Sequence, residues 1–98
     1  MFTFEWDEIK AKINFKKHGL TFDEGSTVFY DDYARIIDDP DHSESEARFI
    51  ILGFSVERKL LMVCHCYEEN EKIIRIFSAR KATKKESKQY WSFYEKRI

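Results

Sequence analysis

Three runs rich in β-branched and aromatic residues follow one another: 47–56 (ARFIILGFSV), 60–67 (LLMVCHCY) and 72–79 (KIIRIFSA). The links between them, at Glu57-Arg58 and over Glu68-Glu-Asn-Glu71, are hairpin-sized. A parallel crossover needs about a dozen residues or more, so these runs are predicted to form an antiparallel meander. That meander restricts the rest of the chain to whatever can pack on one sheet.

The flanking segments supply the packing. Phe2 to Trp6 reads as a short strand with Phe2, Phe4 and Trp6 on one face. Asp7 is a helix N-cap, and the helix runs to His18, where Gly19 supplies a left-handed stop. Ile9 and Ile13 are expected to be its buried stripe, with Lys10, Asn14 and Lys17 on the exposed one. Thr21-Phe-Asp-Glu24 is a capping box that opens a short second helix burying Phe22, Val28 and Phe29. Ala34 to Asp38 is a further strand, ended by the turn Asp39-Pro40-Asp41. Thr83-Lys-Lys-Glu86 is a second capping box. The helix it starts carries Tyr90, Trp91, Tyr94 and Ile98 at helical spacing, read as core, with a partner groove as the alternative. The expected fold class is α+β: an N-terminal strand and two helices, then a mainly antiparallel four-stranded sheet and a C-terminal helix.

The 98 residues allow one domain, 1–98. At 43% hydrophobic and 16% aromatic, the chain is too rich in core formers to be disordered. No apolar run approaches the roughly 18–20 residues of a membrane helix. The first residues lack the apolar stretch of a signal peptide, so a cytoplasmic location and no membrane contact are expected. Cys64 and Cys66, neighbours on one strand face, are poorly placed for a disulfide.

The net charge of -1 conceals an asymmetry. Residues 31–46 carry seven acids against Arg35, while residues 80–98 carry seven bases against Glu86 and Glu95. Such a separation makes one surface attractive to phosphate. If the last hairpin turns at Glu69-Asn70, Tyr67 faces Lys72, Leu60 faces Ala79 and Lys59 faces Arg80. Arg58, Lys59, Arg80 and Lys81 then gather at one end of the sheet, beside the start of the basic C-terminal helix. Arginine suits a phosphate pocket because its planar fork stays charged and binds oxygens two at a time. The bland alternative is a set of solvated strand-end charges. His18, in the last turn of the first helix, has a sufficient structural reason in the helix dipole. Its functional reading, with Lys17 beside it, is proton transfer near neutral pH.

Other patterns carry less. His42 and Ser43, with Glu46 and Arg48 close behind, lack the strained G-x-S-x-G turn of a hydrolase. In Cys64-His65-Cys66, alternation puts the imidazole on the face opposite the thiols, so a metal site is not expected and the three read as core and surface. Three glycines could hardly build a phosphate-binding loop, and none of the glycine-rich motifs is present.

Several stretches together resemble the BrnT family of bacterial toxins (DUF497). They are Phe4-Glu5-Trp6-Asp7, then Lys10, Asn14 and Lys17-His18-Gly19, then Phe22 and Val28-Phe29. Asp41-His42-Ser43 with Glu46 and Arg48, Gly53-Phe-Ser55 with Arg58, and Ile76-Phe-Ser-Ala-Arg80 with Ala82 and Glu86 complete the set. The resemblance spans nearly the whole chain in order. It implies a RelE-like fold and a toxin of a type II toxin–antitoxin pair, held inactive by a BrnA-type antitoxin. Operator DNA would be bound only through the antitoxin complex, and the expected assembly is a homodimer or a 2:2 complex. It also implies an endoribonuclease acting without cofactor or metal, with His18, Arg58, Arg80 and Glu86 as the matching catalytic positions. Lys17, Lys59, Lys81, Lys84 and Lys85 would hold RNA. Glu86 is either a proton-transfer group or, on the favoured reading, the reciprocal half of its capping box. Arg80→Ala is expected to abolish cleavage with the melting temperature nearly unchanged. The alternatives from other classes are a degenerate toxin that docks an antitoxin or nucleic acid without cutting, and an enzyme on small phosphorylated substrates.

Overall fold

A computed structural model describes residues 2–39 and 47–97, the last by its backbone alone. The expected turn at Asp39-Pro40-Asp41 is described only at Asp39, and His42, Ser43, Glu46 and Ile98 lie outside the described residues. The elements run β1 (Thr3–Glu5), α1 (Glu8–His18), α2 (Phe22–Ser26), a 3-10 turn (Thr27–Tyr30), β2 (Arg35–Asp38), β3 (Phe49–Phe54), β4 (Leu60–Glu68), β5 (Ile73–Lys81) and α3 (Lys84–Arg97). One five-stranded sheet has the order β1-β5-β4-β3-β2. The four-strand count is corrected by β1, which pairs with β5 in parallel, Thr3 opposite Ile73. The other pairings are antiparallel, as the short links demand.

The local signals act where they stand. Asp7 Oδ1 accepts the Ile9 and Lys10 N–H groups at 2.7 and 3.1 Å. Gly19 ends α1 at φ 70, a left-handed conformation that costs glycine little. One sheet face is covered by Leu20, Phe22 and Val28 against Ile51, Leu61, Val63, Ile76 and Ala79. The opposite face packs Leu52 and Met62 against Tyr90 of α3. Gly53 is needed for close approach, since an added Cβ would lie 2.9 Å from Ala34 Cβ and 3.3 Å from Asp31 Oδ2. That Asp31 carboxylate accepts the Phe54 N–H at 2.9 Å and the Tyr90 hydroxyl at 2.7 Å, so it ties α3 to the end of β3.

Two sequence expectations fail. Ile9 and Ile13 are 71% and 61% exposed, while Asn14 is buried. The reason is where α1 lies. β1 pairs with β5 only at residues 73–75, which leaves the later edge of β5 without a strand partner among the described residues. Asn14 takes that place: its Oδ1 accepts the Ala79 N–H at 3.0 Å and its Nδ2 donates to the Ala79 and Leu20 carbonyls at 3.0 and 3.1 Å. An unpaired edge needs a polar partner, so the helix turns a carboxamide inward.

The register of the last hairpin also differs. Tyr67 faces Ile74, Leu61 faces Lys81, and Arg80 faces Met62 where Lys59 was expected. The loop spans Glu69–Lys72 rather than turning on two residues, with Glu69, Asn70 and Glu71 at φ 49, 58 and 68. A bulge between the Cys64 and His65 pairs shifts the register once more.

Candidate functional site

Arg80 sits near the end of β5, and α3 begins three residues after the strand ends. The second capping box closes in both directions: Thr83 Oγ1 accepts the Glu86 N–H at 3.2 Å, and Glu86 Oε1 accepts the Thr83 N–H at 2.8 Å. The same carboxylate takes Arg80 in a two-pronged pair, Nη1 at 2.8 Å and Nη2 at 2.9 Å. The Arg80 guanidinium and the Thr83 backbone amide together hold the Glu86 carboxyl down to about 2, against the burial that raises it. The pairing with Glu86 raises Arg80 in turn. Glu86 is therefore an anion at neutral pH. It orients Arg80 and has no proton to give.

The second cluster is at the end of α1. His18 follows Asn14 by one helical turn and so shares its face. The Asn14 carboxamide fixes that face against β5, leaving His18 half-buried. Lys10, Ile13, Lys17, His18, Phe77 and Ser78 border a groove of about 210 Å³. Lys10 Nζ stands 5.5 Å from the Phe77 ring centre. Ser78 and Arg80 alternate onto one face of β5, about 6.8 Å apart along the strand. The groove and the Arg80–Glu86 pair are thus neighbours on one strand.

The remaining cations divide. Arg58 occupies the β3–β4 hairpin at φ 61, its N–H bonded to the Ser55 carbonyl at 2.9 Å and its side chain exposed. The hairpin is anchored to α2, since Ser55 Oγ donates to Glu24 Oε2 at 2.8 Å. Lys59 Nζ also turns that way, 3.7 Å from Glu24 Oε1. Arg80 leans the other way, to α3. The expected convergence of Arg58, Lys59, Arg80 and Lys81 is therefore reduced to a shared end of the sheet, and Lys59 is drawn out of the set. The cause is the register: at the start of β4 it is Ala82, where Ala79 was expected, that bonds to the Leu60 carbonyl at 2.9 Å. Lys81, Lys84 and Lys85 are exposed around the start of α3, and Lys17 is exposed beside His18.

His65 is fully buried, donating from Nδ1 to the Val63 carbonyl at 3.0 Å and accepting the Tyr67 hydroxyl at Nε2, 3.1 Å away. Burial lowers its pKa, so it is a neutral core group. The Cys64 thiol donates to Asp39 Oδ2 at 3.2 Å, and burial pushes it up to about 12. Imidazole and Cys64 thiol occupy opposite faces, as alternation predicts. Of the two thiols Cys66 is buried and Cys64 partly so. Among the described residues no His, Cys, Asp and Glu side chains cluster as metal ligands. None of the helices described is long and apolar enough to cross a membrane. Asn14 and Ser78 were missed as parts of the site. An uncharged amide one turn before His18, in a run of lysines, was the signal available for the first.

A family model described as the ribonuclease toxin BrnT of type II toxin–antitoxin systems matches residues 6–86. The crystal structure of the Brucella abortus ribonuclease toxin BrnT is similar in fold, with a TM-score of 0.64 at 20% identity, over 86% of this chain and 100% of that one. Comparison with curated proteins gives no match. With the family model matched from Trp6 through Glu86, the chain belongs to the BrnT family of type II toxin–antitoxin ribonuclease toxins.

Proposed function

We propose that this chain is an RNA-cleaving toxin in which His18 moves the proton and Arg80 meets the charge that develops on phosphorus. The observation that carries the proposal is the neighbourhood on β5: a groove edged by His18 and Ser78, and next to it a guanidinium already oriented by Glu86. In the metal-independent route, the 2′-hydroxyl attacks the adjacent phosphate, and a 2′,3′-cyclic phosphate and a 5′-hydroxyl result. The step needs a group to take the 2′ proton, cations for the pentacoordinate phosphorane, and a proton for the leaving oxygen. Imidazole is the side chain suited to that transfer near neutral pH. Arg58, exposed on its anchored hairpin at the same end of the sheet, is a further cation for the RNA phosphates. Lys17, Lys81, Lys84 and Lys85 take the RNA backbone. Glu86 acts as a positioning residue, because its two oxygens are taken up by the Arg80 guanidinium and the Thr83 amide. An antitoxin of the BrnA type would neutralise the toxin, and operator DNA would be reached through that complex.

The test uses purified protein and RNA. His18→Ala should cut about 10²-fold or more slowly while melting close to the parent, since its side chain is half-exposed. Full activity in His18→Ala would remove the imidazole from the mechanism. The occupied fork of Arg80 favours one second reading, a module that docks RNA or an antitoxin without cutting. Salt-sensitive RNA binding with no cleavage by the parent protein would support it.

A further inference from the structure

The C-terminal helix holds an aromatic ring that its packing does not consume. Tyr90 is 3% exposed and anchors α3 to the sheet, whereas Trp91 is 45% exposed. Its indole is nevertheless held on three sides. The ring centres of Tyr90, Tyr94 and Phe54 lie 5.3, 5.3 and 5.8 Å away, at interplanar angles of 89°, 72° and 57°. A ring fixed in that way loses little freedom when a second planar group stacks on it.

The surroundings choose the occupant. Lys88 and Lys84 stand three and seven residues before Trp91 on the same helix face, both exposed, and outnumber Glu95, four residues after it. Glu86, the residue that binds Arg80, lies five residues before Trp91, about 7.5 Å along the helix axis and about 140° round it, so a strand on the Trp91 face reaches Arg80 only around the first turn of α3. The other exposed aromatic rings have the wrong neighbours for a polyanion. Phe2 and Tyr30 contact each other, and Tyr30 runs directly into Asp31 and Asp32. Phe15 borders a groove in which Lys12 is outnumbered by Glu8 and Asp23.

We infer that Trp91 is a stacking platform for a base of single-stranded RNA, with Lys88 and Lys84 on the strand's phosphates leading back to Arg80. This rests on the nuclease reading above and specifies the form of its substrate. Stacking on an aromatic side chain tolerates any base, because every base has a π-face.

The probe is a single-stranded RNA oligonucleotide methylated at every 2′-oxygen, which can bind but cannot attack its own phosphate. The chain has two tryptophans, Trp6 and Trp91, so emission reports the contact. Binding should quench the parent and Trp6→Phe, and leave the remaining Trp6 emission of Trp91→Phe unchanged. Trp91→Ala should weaken binding about tenfold or more, and Trp91→Phe, which keeps a ring and guards against a folding defect, should weaken it less. Lys88→Ala should reduce the slope of log affinity against log salt by about 0.7. Oligonucleotide affinity equal to the parent in Trp91→Ala would overturn the platform, and loss of antitoxin capture in that same variant would assign the ring to a protein contact. Cleavage of unmodified RNA by the parent tests the nuclease reading separately: a parent that binds with the Trp91 signature and never cuts retains the platform and loses the enzyme.

Discussion

The first turns of α2 and α3 carry the same four-residue motif, Thr-x-x-Glu, and the two glutamates do different work. Both threonines cap: Thr21 Oγ1 accepts the Glu24 N–H at 3.0 Å, and Thr83 Oγ1 accepts the Glu86 N–H at 3.2 Å. Glu86 returns its carboxylate to the cap and extends it to Arg80. Glu24 turns away from its own cap and binds Ser55 Oγ and Lys59 in the β3–β4 hairpin. One glutamate thus holds Arg80 by its guanidinium, and the other holds the turn that displays Arg58. A capping motif fixes where a helix starts. What its acid does is decided by the nearest unsatisfied donor.

Removing Glu86 should have the largest effect. Glu86→Ala loses the return bond of the cap and the partner of Arg80, a cost of about 2 kcal/mol, seen as a fall in Tm of about 8–16 °C. Cleavage should fall with it, because Arg80 is no longer oriented. The pH dependence has a definite sign. The carboxyl is held below its ordinary 4.5, at about 2, so its stabilisation is fully present above about pH 4.5 and is lost as pH falls toward 2. The Tm difference between the parent and Glu86→Gln should therefore close across that window. A difference that persists at pH 2 would mean that the ionised pair is not its source.

Arg80→Ala comes next. The expectation of an unchanged melting temperature does not survive the two-pronged contact, since the variant leaves a carboxylate, 18% exposed at its side chain, without its guanidinium. A loss of about 1 kcal/mol, discounted for solvent screening, should accompany a loss of cleavage of about 10²-fold. Glu24→Ala should cost about 1 kcal/mol and speed hydrogen exchange at the Val56 to Lys59 amides, leaving the Arg80 end unchanged. A double-mutant cycle is the finest discriminator. Lys59 with Glu24, 3.7 Å apart with the lysine side chain 43% exposed, should couple by at most about 0.5 kcal/mol, less than Arg80 with Glu86. Equal couplings would erase the contrast between the two turns.

The elements themselves were legible in the residues. Caps at Asp7, Thr21 and Thr83, the stop at Gly19 and the meander of β3, β4 and β5 are short-range facts, each decided by groups a few residues apart. The α+β class follows from them. Three decisions needed the assembled molecule. The parallel pairing of β1 with β5 joins segments about seventy residues apart, and nothing near Phe4 announces its partner. The inward turn of Asn14 answers backbone groups of Ala79 that became unpaired only because β1 is short. The register that sends Lys59 to α2 and Arg80 to α3 depends on one bulge and a four-residue loop, and a shift of that size moves each side chain to a new neighbour. Local backbone chemistry wrote the helices and hairpins into the chain. Which charges meet was settled by satisfying polar groups that only packing leaves without water.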